Sequence, residues 1–249
     1  MIEAEVQIQT PDGAMNAFTV HPEGEGPFPA VIQYFDALGL REEIRAMARR
    51  YSEDGFFVIA PDLYHRFGNG IHFEADADGQ LSAEQRTEMF GYVDRLTDAM
   101  VMADTAAVLE FLEDAPLALD APKGAVGYCL GGRAVIRAMA EFSDEIRSGA
   151  ALHPSQTVSD GADSPHLGIA RFNGDAEIYI GFGGQDHLTP PPVIAAVTAQ
   201  LEQAGVQHVV DVTEDAQHGF TMASRAAYNA EADRLHWART LDLFERRLG

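Results

Sequence analysis

Cysteine, lysine and tryptophan are nearly absent: Cys129, Lys123 and Trp237 are the sole examples of each among 249 residues. A solitary cysteine excludes an internal disulfide and fits a reducing, cytoplasmic setting. Positive charge is scarce as well. Thirty-nine acidic against 17 basic residues give a formal net charge of −22. Such a chain repels phosphate backbones and anionic membranes, which weighs against nucleic acid and lipid as partners. The acids are spread along the chain, so they read as a solvated shell rather than a recognition tail. No apolar run is long enough to span a bilayer, and Met1–Glu5 has neither the basic start nor the apolar stretch of a secretory leader. Linker-like, repeated and low-complexity segments are missing too. With 46% hydrophobic residues to build a core, a single domain over 1–249 is expected.

What is present is a pattern of alternating strands and helices. Residues 3–9 alternate polar and apolar as a half-buried strand does, Pro11-Asp12-Gly13 signals a turn, and 15–20 reads as the returning strand. Further strands are expected at 30–35, 56–60, 149–153, 177–182 and 207–212. Helices are expected at 41–54, 93–114, 191–204 and 223–247. Alternation of this kind implies a mostly parallel central sheet with helices on both faces. The polar stretch 64–92, rich in Gly, Asp and aromatics, reads as an excursion over the active-site edge of that sheet. Its Phe67, Phe73, Phe90 and Tyr92 are candidates for packing on the sheet or lining a pocket.

The most informative segment is Gly127-Tyr128-Cys129-Leu130-Gly131-Gly132, between the apolar run 124–126 and a helical pattern at 133–139. This is the strand, sharp turn and helix of a nucleophile elbow, with cysteine at the nucleophile position. Small residues suit the close packing there, and the following helix N-terminus favours a thiolate. A thiol needs an imidazole to take its proton and a carboxylate to orient that imidazole. Two later strand ends supply them in the order nucleophile, acid, histidine. Asp186 follows the strand at 177–182 in Gly183-Gly184-Gln185-Asp186-His187, whose glycines are expected to let the chain turn sharply. His218 follows the strand at 207–212 in Asp215-Ala216-Gln217-His218-Gly219. All three lie at the carboxyl edge of the sheet, where such folds bind ligands. Asp211, Glu214 and Asp215 are weaker competitors for the acid. His65, His72, His153, His187 and His208 lack metal-ligand spacing, so neither a metal site nor a cofactor is expected.

Four separated motifs resemble the dienelactone hydrolase family of the α/β-hydrolase superfamily. They are Gly-Tyr-Cys-Leu-Gly-Gly at 127–132, Gly-Gly-Gln-Asp-His at 183–187 followed by Pro190, and Ala-Pro-Asp-Leu-Tyr-His-Arg at 60–66. The fourth is the C-terminal pattern His218-Gly219-Phe220, Tyr228, Trp237, Arg239-Thr240-Leu241 and Phe244. The resemblance implies the α/β-hydrolase fold and hydrolysis of a small lactone or ester through a thiol-ester acyl-enzyme. It also implies that the backbone amides of Ala37 and Leu130 form an oxyanion hole, that Asp36 contacts the nucleophilic thiol, and that Arg66 pairs with a substrate carboxylate. Two departures stand out. Asp36 is one methylene shorter than the family's glutamate, and Met222 stands four residues after His218 where founding members carry an arginine. Arg225 is the candidate replacement.

The sequence therefore reads as a cysteine-dependent carboxylic ester hydrolase acting on a small-molecule substrate. A general esterase or thioesterase for uncharged substrates is the alternative within hydrolases. A redox-responsive thiol protein is the alternative outside them, disfavoured by the intact Asp186 and His218 and by the lack of a resolving cysteine.

Overall fold

The computed structural model describes residues 1–249. Strands β1 (Ile2–Thr10), β2 (Gly13–His21), β3 (Ala30–Tyr34), β4 (Phe57–Pro61), β5 (Lys123–Tyr128), β6 (Ile146–Leu152), β7 (Glu177–Gly183) and β8 (Gln207–Thr213) form one sheet. The spatial order is β1-β2-β4-β3-β5-β6-β7-β8. The first hairpin is antiparallel, β2 joins β4 antiparallel, and all later pairs are parallel. Six helices complete the chain: α1 (Glu42–Glu53), α2 (Ala83–Val93), α3 (Asp98–Asp114), α4 (Leu130–Glu141), α5 (Pro191–Ala204) and α6 (Ala230–Leu248). None is long and apolar enough to cross a membrane.

The inner strands β3, β4, β5 and β7 are buried at every position, which requires helices above and below. One layer joins α1 to α6, where Tyr51 stacks on Trp237 at 4.2 Å. The other joins α3 and α4 with a 3-10 turn at Pro165–Arg171 and α5.

Two expected helix starts shift. The helix expected from 93 starts at Asp98, because Thr97 caps it through the Met100 amide. The helix expected from 223 starts at Ala230, where the Asn229 side chain accepts from the Ala232 amide. The stretch 223–229 is instead a turn. The excursion at 64–92 contains α2, launched by a reciprocal Ser82–Gln85 capping box.

The topology reverses between β3 and β5. These neighbours pair in register, Tyr34 opposite Gly127, while the chain leaves them toward opposite sides of the sheet. A crevice opens at such a switch point, outside the carboxyl ends of the strands. Registers further along keep the other carboxyl ends level: Tyr128 with Leu152, Leu152 with Gly181, and Gly183 with Thr213. Residues just beyond β3, β5, β6, β7 and β8 therefore meet at one edge.

A buried ionic brace ties two loops at that edge. Arg41, whose side chain has no solvent exposure, donates to Asp36 at 2.5 and 3.2 Å and to Glu43 at 2.5 Å. Glu43 in turn accepts from the Ser224 amide and hydroxyl, both at 2.7 Å. The brace links the loop after β3 to the loop after β8. Removing one partner of a buried pair strands the other charge. Arg41→Met is expected to cost about 3–5 kcal/mol of unfolding free energy. Adding Asp36→Asn should recover part of the loss. Urea denaturation of both variants checks this.

Candidate active site

Cys129 sits between β5 and α4 with φ 56° and ψ −114°, a left-handed conformation that costs a non-glycine residue about 1–3 kcal/mol. The flanking glycines explain how the bend is held. A Cβ at Gly127 would lie 2.0 Å from the Gly131 carbonyl oxygen, and one at Gly131 would lie 2.5 Å from the carbonyl oxygens of Tyr34 and Phe35. Glycine thus lets α4 start tight against the ends of both β5 and β3. The Cys129 amide donates to Leu152 at 3.1 Å and fixes the elbow to β6.

His218 and Asp186 arrive from β8 and β7. His218 Nδ1 and Asp186 Oδ2 are 2.7 Å apart. The other carboxylate oxygen accepts from the Leu188 amide at 2.8 Å, so both oxygens are committed. His218 Nε2 is buried with no hydrogen-bond partner, and the ring is near enough to Cys129 for each to shift the other's ionisation. Asp211, a weaker candidate for the acid, is instead paired with Arg239 at 3.1 Å. The glycines at 183 and 184 serve a different purpose from the expected sharp turn. Neither has a positive φ. A Cβ on either would strike the 214–216 backbone, at 2.5 Å from the Ala216 oxygen and 2.6 Å from the Glu214 oxygen. They let the histidine loop pack against the aspartate loop.

Burial pushes the Cys129 thiol up, but the His218 charge and the Ser155 hydroxyl outweigh that, and the thiol falls below its ordinary value. Burial likewise disfavours the His218 imidazolium. The thiolate charge and the bond to Asp186 overcome it and raise the ring to about 10. Both shifts favour the proton on the imidazole rather than on the sulfur. Cys129 stays partly exposed at the floor of a cavity of about 290 Å³.

Of the two expected oxyanion donors, Ala37 lines the same cavity as Cys129 and Leu130 follows Cys129 at the start of α4. The Asp36 carbonyl accepts from the Gly39 amide at 3.0 Å. A peptide plane held this way turns its N–H, that of Ala37, to the opposite side. Tyr64 Oη donates to the Ala37 carbonyl at 2.9 Å and pins the next peptide. Neither the Ala37 nor the Leu130 amide donates to a loop, turn or cap carbonyl.

Two residues are placed differently from expectation. Asp36 lines the cavity yet makes no hydrogen bond to Cys129, because Arg41 and the Leu38 amide hold its carboxylate. Arg66 does not line the cavity. It grips the fully buried Asp104 with two nitrogens, at 2.6 and 2.7 Å, and Asp12 at 2.6 Å, which commits its guanidinium to the fold. Arg225 does line the cavity, and its Nε is buried without a partner. It is the only arginine or lysine among the lining residues.

The remaining walls are Leu38, Met89, Phe90, Leu188 and Met222, with His153 and His187. Met89 and Phe90 belong to α2, so the 64–92 excursion supplies one wall. Its Phe67 and Tyr92 pack with Tyr64 as a separate aromatic cluster, and Phe73 joins through Tyr92.

Two residues at the site were missed from sequence. His153 supports His218 edge-on at 5.2 Å while its own Nε2 pairs with Thr221 Oγ1 at 2.8 Å. Burial holds its ring well below the ordinary value, so it is neutral. Ser155 lies 3.5 Å from the Cys129 sulfur. Both follow the end of β6, and the strand-end rule that found Asp186 and His218 would have found them.

Residues 15–248 match the family model of the dienelactone hydrolase family. A Methylorubrum extorquens protein assigned as a carboxymethylenebutenolidase is 29% identical over 98% of this chain and 81% of its own length. The carboxymethylenebutenolidase of Pseudomonas putida is 24% identical over 97% of this chain and 96% of its own. A solved structure from Klebsiella pneumoniae, assigned as a dienelactone hydrolase, shares the fold with a TM-score of 0.84. It covers 98% of both chains at 24% identity. With the match running from β2 to the end of α6, through every strand end that meets at the cavity, this chain is a carboxylic ester hydrolase and belongs to the dienelactone hydrolase family.

Proposed function

We propose that the protein hydrolyses a small lactone or ester through a thiol ester on Cys129. The observation that carries this reading is His218, whose Nδ1 is bonded to Asp186 while its Nε2 is left for the thiol. In the first step the Cys129 thiolate bonds to the carbonyl carbon, and the carbonyl electron pair moves onto oxygen. The Ala37 and Leu130 amides receive that charge. Collapse breaks the carbon–oxygen bond of the ester, and the leaving alkoxide or enolate takes the proton of His218 Nε2. Neutral His218 then removes a proton from water as the water attacks the thiol ester. Thiolate departs, the imidazolium is restored, and the acid is released.

Arg225 is the group we assign to a substrate carboxylate. A cation with an unsatisfied buried nitrogen beside the nucleophile gains an acceptor when an anion enters. One observation favours a second reading. Arg66 is consumed by Asp104 and Asp12, and most of the cavity wall is apolar, which suits an uncharged ester.

Cys129→Ala is expected to abolish turnover of every ester and lactone, and retained activity overturns the assignment. Arg225→Met separates the two readings. It should raise KM for a lactone bearing a free carboxylate by about 10–100-fold, the worth of one charged hydrogen bond, and leave p-nitrophenyl esters nearly unchanged. Equal effects on both substrates favour the uncharged reading. The pH profile follows from the ion pair. Thiolate is the reactive form, so kcat/KM should climb with pH through the lowered thiol value. It should fall again near pH 10, where His218 loses the proton needed by the leaving group.

A further inference from the structure

We infer that Ser155 is a catalytic residue whose hydroxyl donates a hydrogen bond to the Cys129 thiolate and keeps it ionised for attack. The inference rests on the reading of Cys129 as nucleophile. Its observation is separate: a buried hydroxyl 3.5 Å from the sulfur, within the range of a sulfur–oxygen hydrogen bond, with no other hydrogen-bond partner.

The direction of the bond follows from charge. A thiolate has no proton to give, so the Ser155 O–H must be the donor once His218 has taken the proton. The placement is not accidental to a mobile side chain. The Ser155 amide donates to the Cys129 carbonyl at 3.1 Å, and the Cys129 amide donates to Leu152 at 3.1 Å. The elbow is thus pinned to the end of β6 on both sides, and the serine is carried to the sulfur by backbone bonds. Gly132 contributes, because a Cβ there would lie 2.8 Å from Pro154 Cβ. Ser155 is not among the residues that line the cavity. It reaches the sulfur from outside the substrate space and can act on the thiolate without touching the ester.

A need for such a donor is visible on the other side of the thiol. Asp36, expected to contact the sulfur, is held by Arg41 instead, and its negative charge opposes thiolate formation. Tyr64, also nearby, spends its hydroxyl on the Ala37 carbonyl. His153 is neutral, and Arg225 lies among the cavity-lining residues. Ser155 is left as the side chain within hydrogen-bonding distance of the sulfur, with the His218 charge nearby. Ser155 is one of the groups that hold the thiol below its ordinary value.

The test is the pH dependence of Cys129 alkylation by iodoacetamide, read by mass spectrometry on the intact protein. As the sole cysteine, it gives an unambiguous signal without any substrate. Ser155→Ala should move the inflection up by about one pH unit and slow alkylation about tenfold on the acid side, the effect of one hydrogen bond to a charged group. Ser155→Thr, which keeps the hydroxyl, should restore the wild-type inflection. If the alanine variant does not fold, Ser155→Gly provides the same hydroxyl-free comparison. A folded hydroxyl-free variant with the wild-type inflection overturns the inference. So does a threonine variant displaced as far as alanine. Either result leaves the nucleophile assignment standing, since that falls only if Cys129→Ala retains activity.

Discussion

The ionisation of the Cys129 thiol and that of the His218 imidazole, which line one half-closed cavity, depend on each other. Burial disfavours both charges, and each is sustained by its partner's field. Everything else at this edge of the sheet can be understood as support for that pair. Asp186 anchors the far side of the imidazole, with its second oxygen committed to the Leu188 amide. His153 braces the ring edge-on and stays neutral, adding no competing positive charge. The elbow lifts the sulfur into reach at the cost of a left-handed backbone, and α4 begins directly behind it with its positive dipole end toward the thiolate.

The support is distributed over five strand ends, and this makes the loops between them part of the chemistry. Arg41 and Glu43 join the loop carrying Ala37 to the loop that follows His218. Tyr64, from the loop after β4, fixes the peptide beyond Ala37. The 64–92 excursion lies against both regions. Its Phe73 amide bonds the Leu38 carbonyl at 2.9 Å, and a Cβ at Gly79 would lie 2.3 Å from the Ala226 nitrogen. A wall of the cavity, the oxyanion loop and the Arg225 turn are therefore packed as neighbours, and strain introduced in one is felt in the others.

Arginine roles illustrate where reading by residue type fails. Arg66 and Arg225 both seemed able to meet a carboxylate, and nothing local distinguished them. Asp104, 38 positions away and fully buried, takes Arg66; no acid takes the Nε of Arg225. Arg41 stands at the start of the helix expected over 41–54, with Glu42 and Glu43 behind it, yet its side chain is wholly buried against Asp36. A charge pattern on paper cannot show which carboxylate will be opposite after folding. The glycines at 183 and 184 carry the same lesson: their purpose is set by a loop 30 residues later, not by their own turn.

The strand–helix alternation, the elbow at 127–132 and the order Cys129, Asp186, His218 were legible in the sequence because each is local. Hydrophobic period, glycine spacing and position after a strand are properties of a few consecutive residues. The helix starts at Asp98 and Ala230 were blurred, since capping by Thr97 and Asn229 decides them and several polar residues nearby could have capped. Only the tertiary structure decided which residues share the cavity. Sheet order brought the ends of β3, β5, β6, β7 and β8 to one edge, and that placed His153 and Ser155 beside His218 and Cys129 while drawing Arg66 away. Contacts among residues tens of positions apart are fixed by strand register and by competition for partners, and neither is written in any short stretch of the chain.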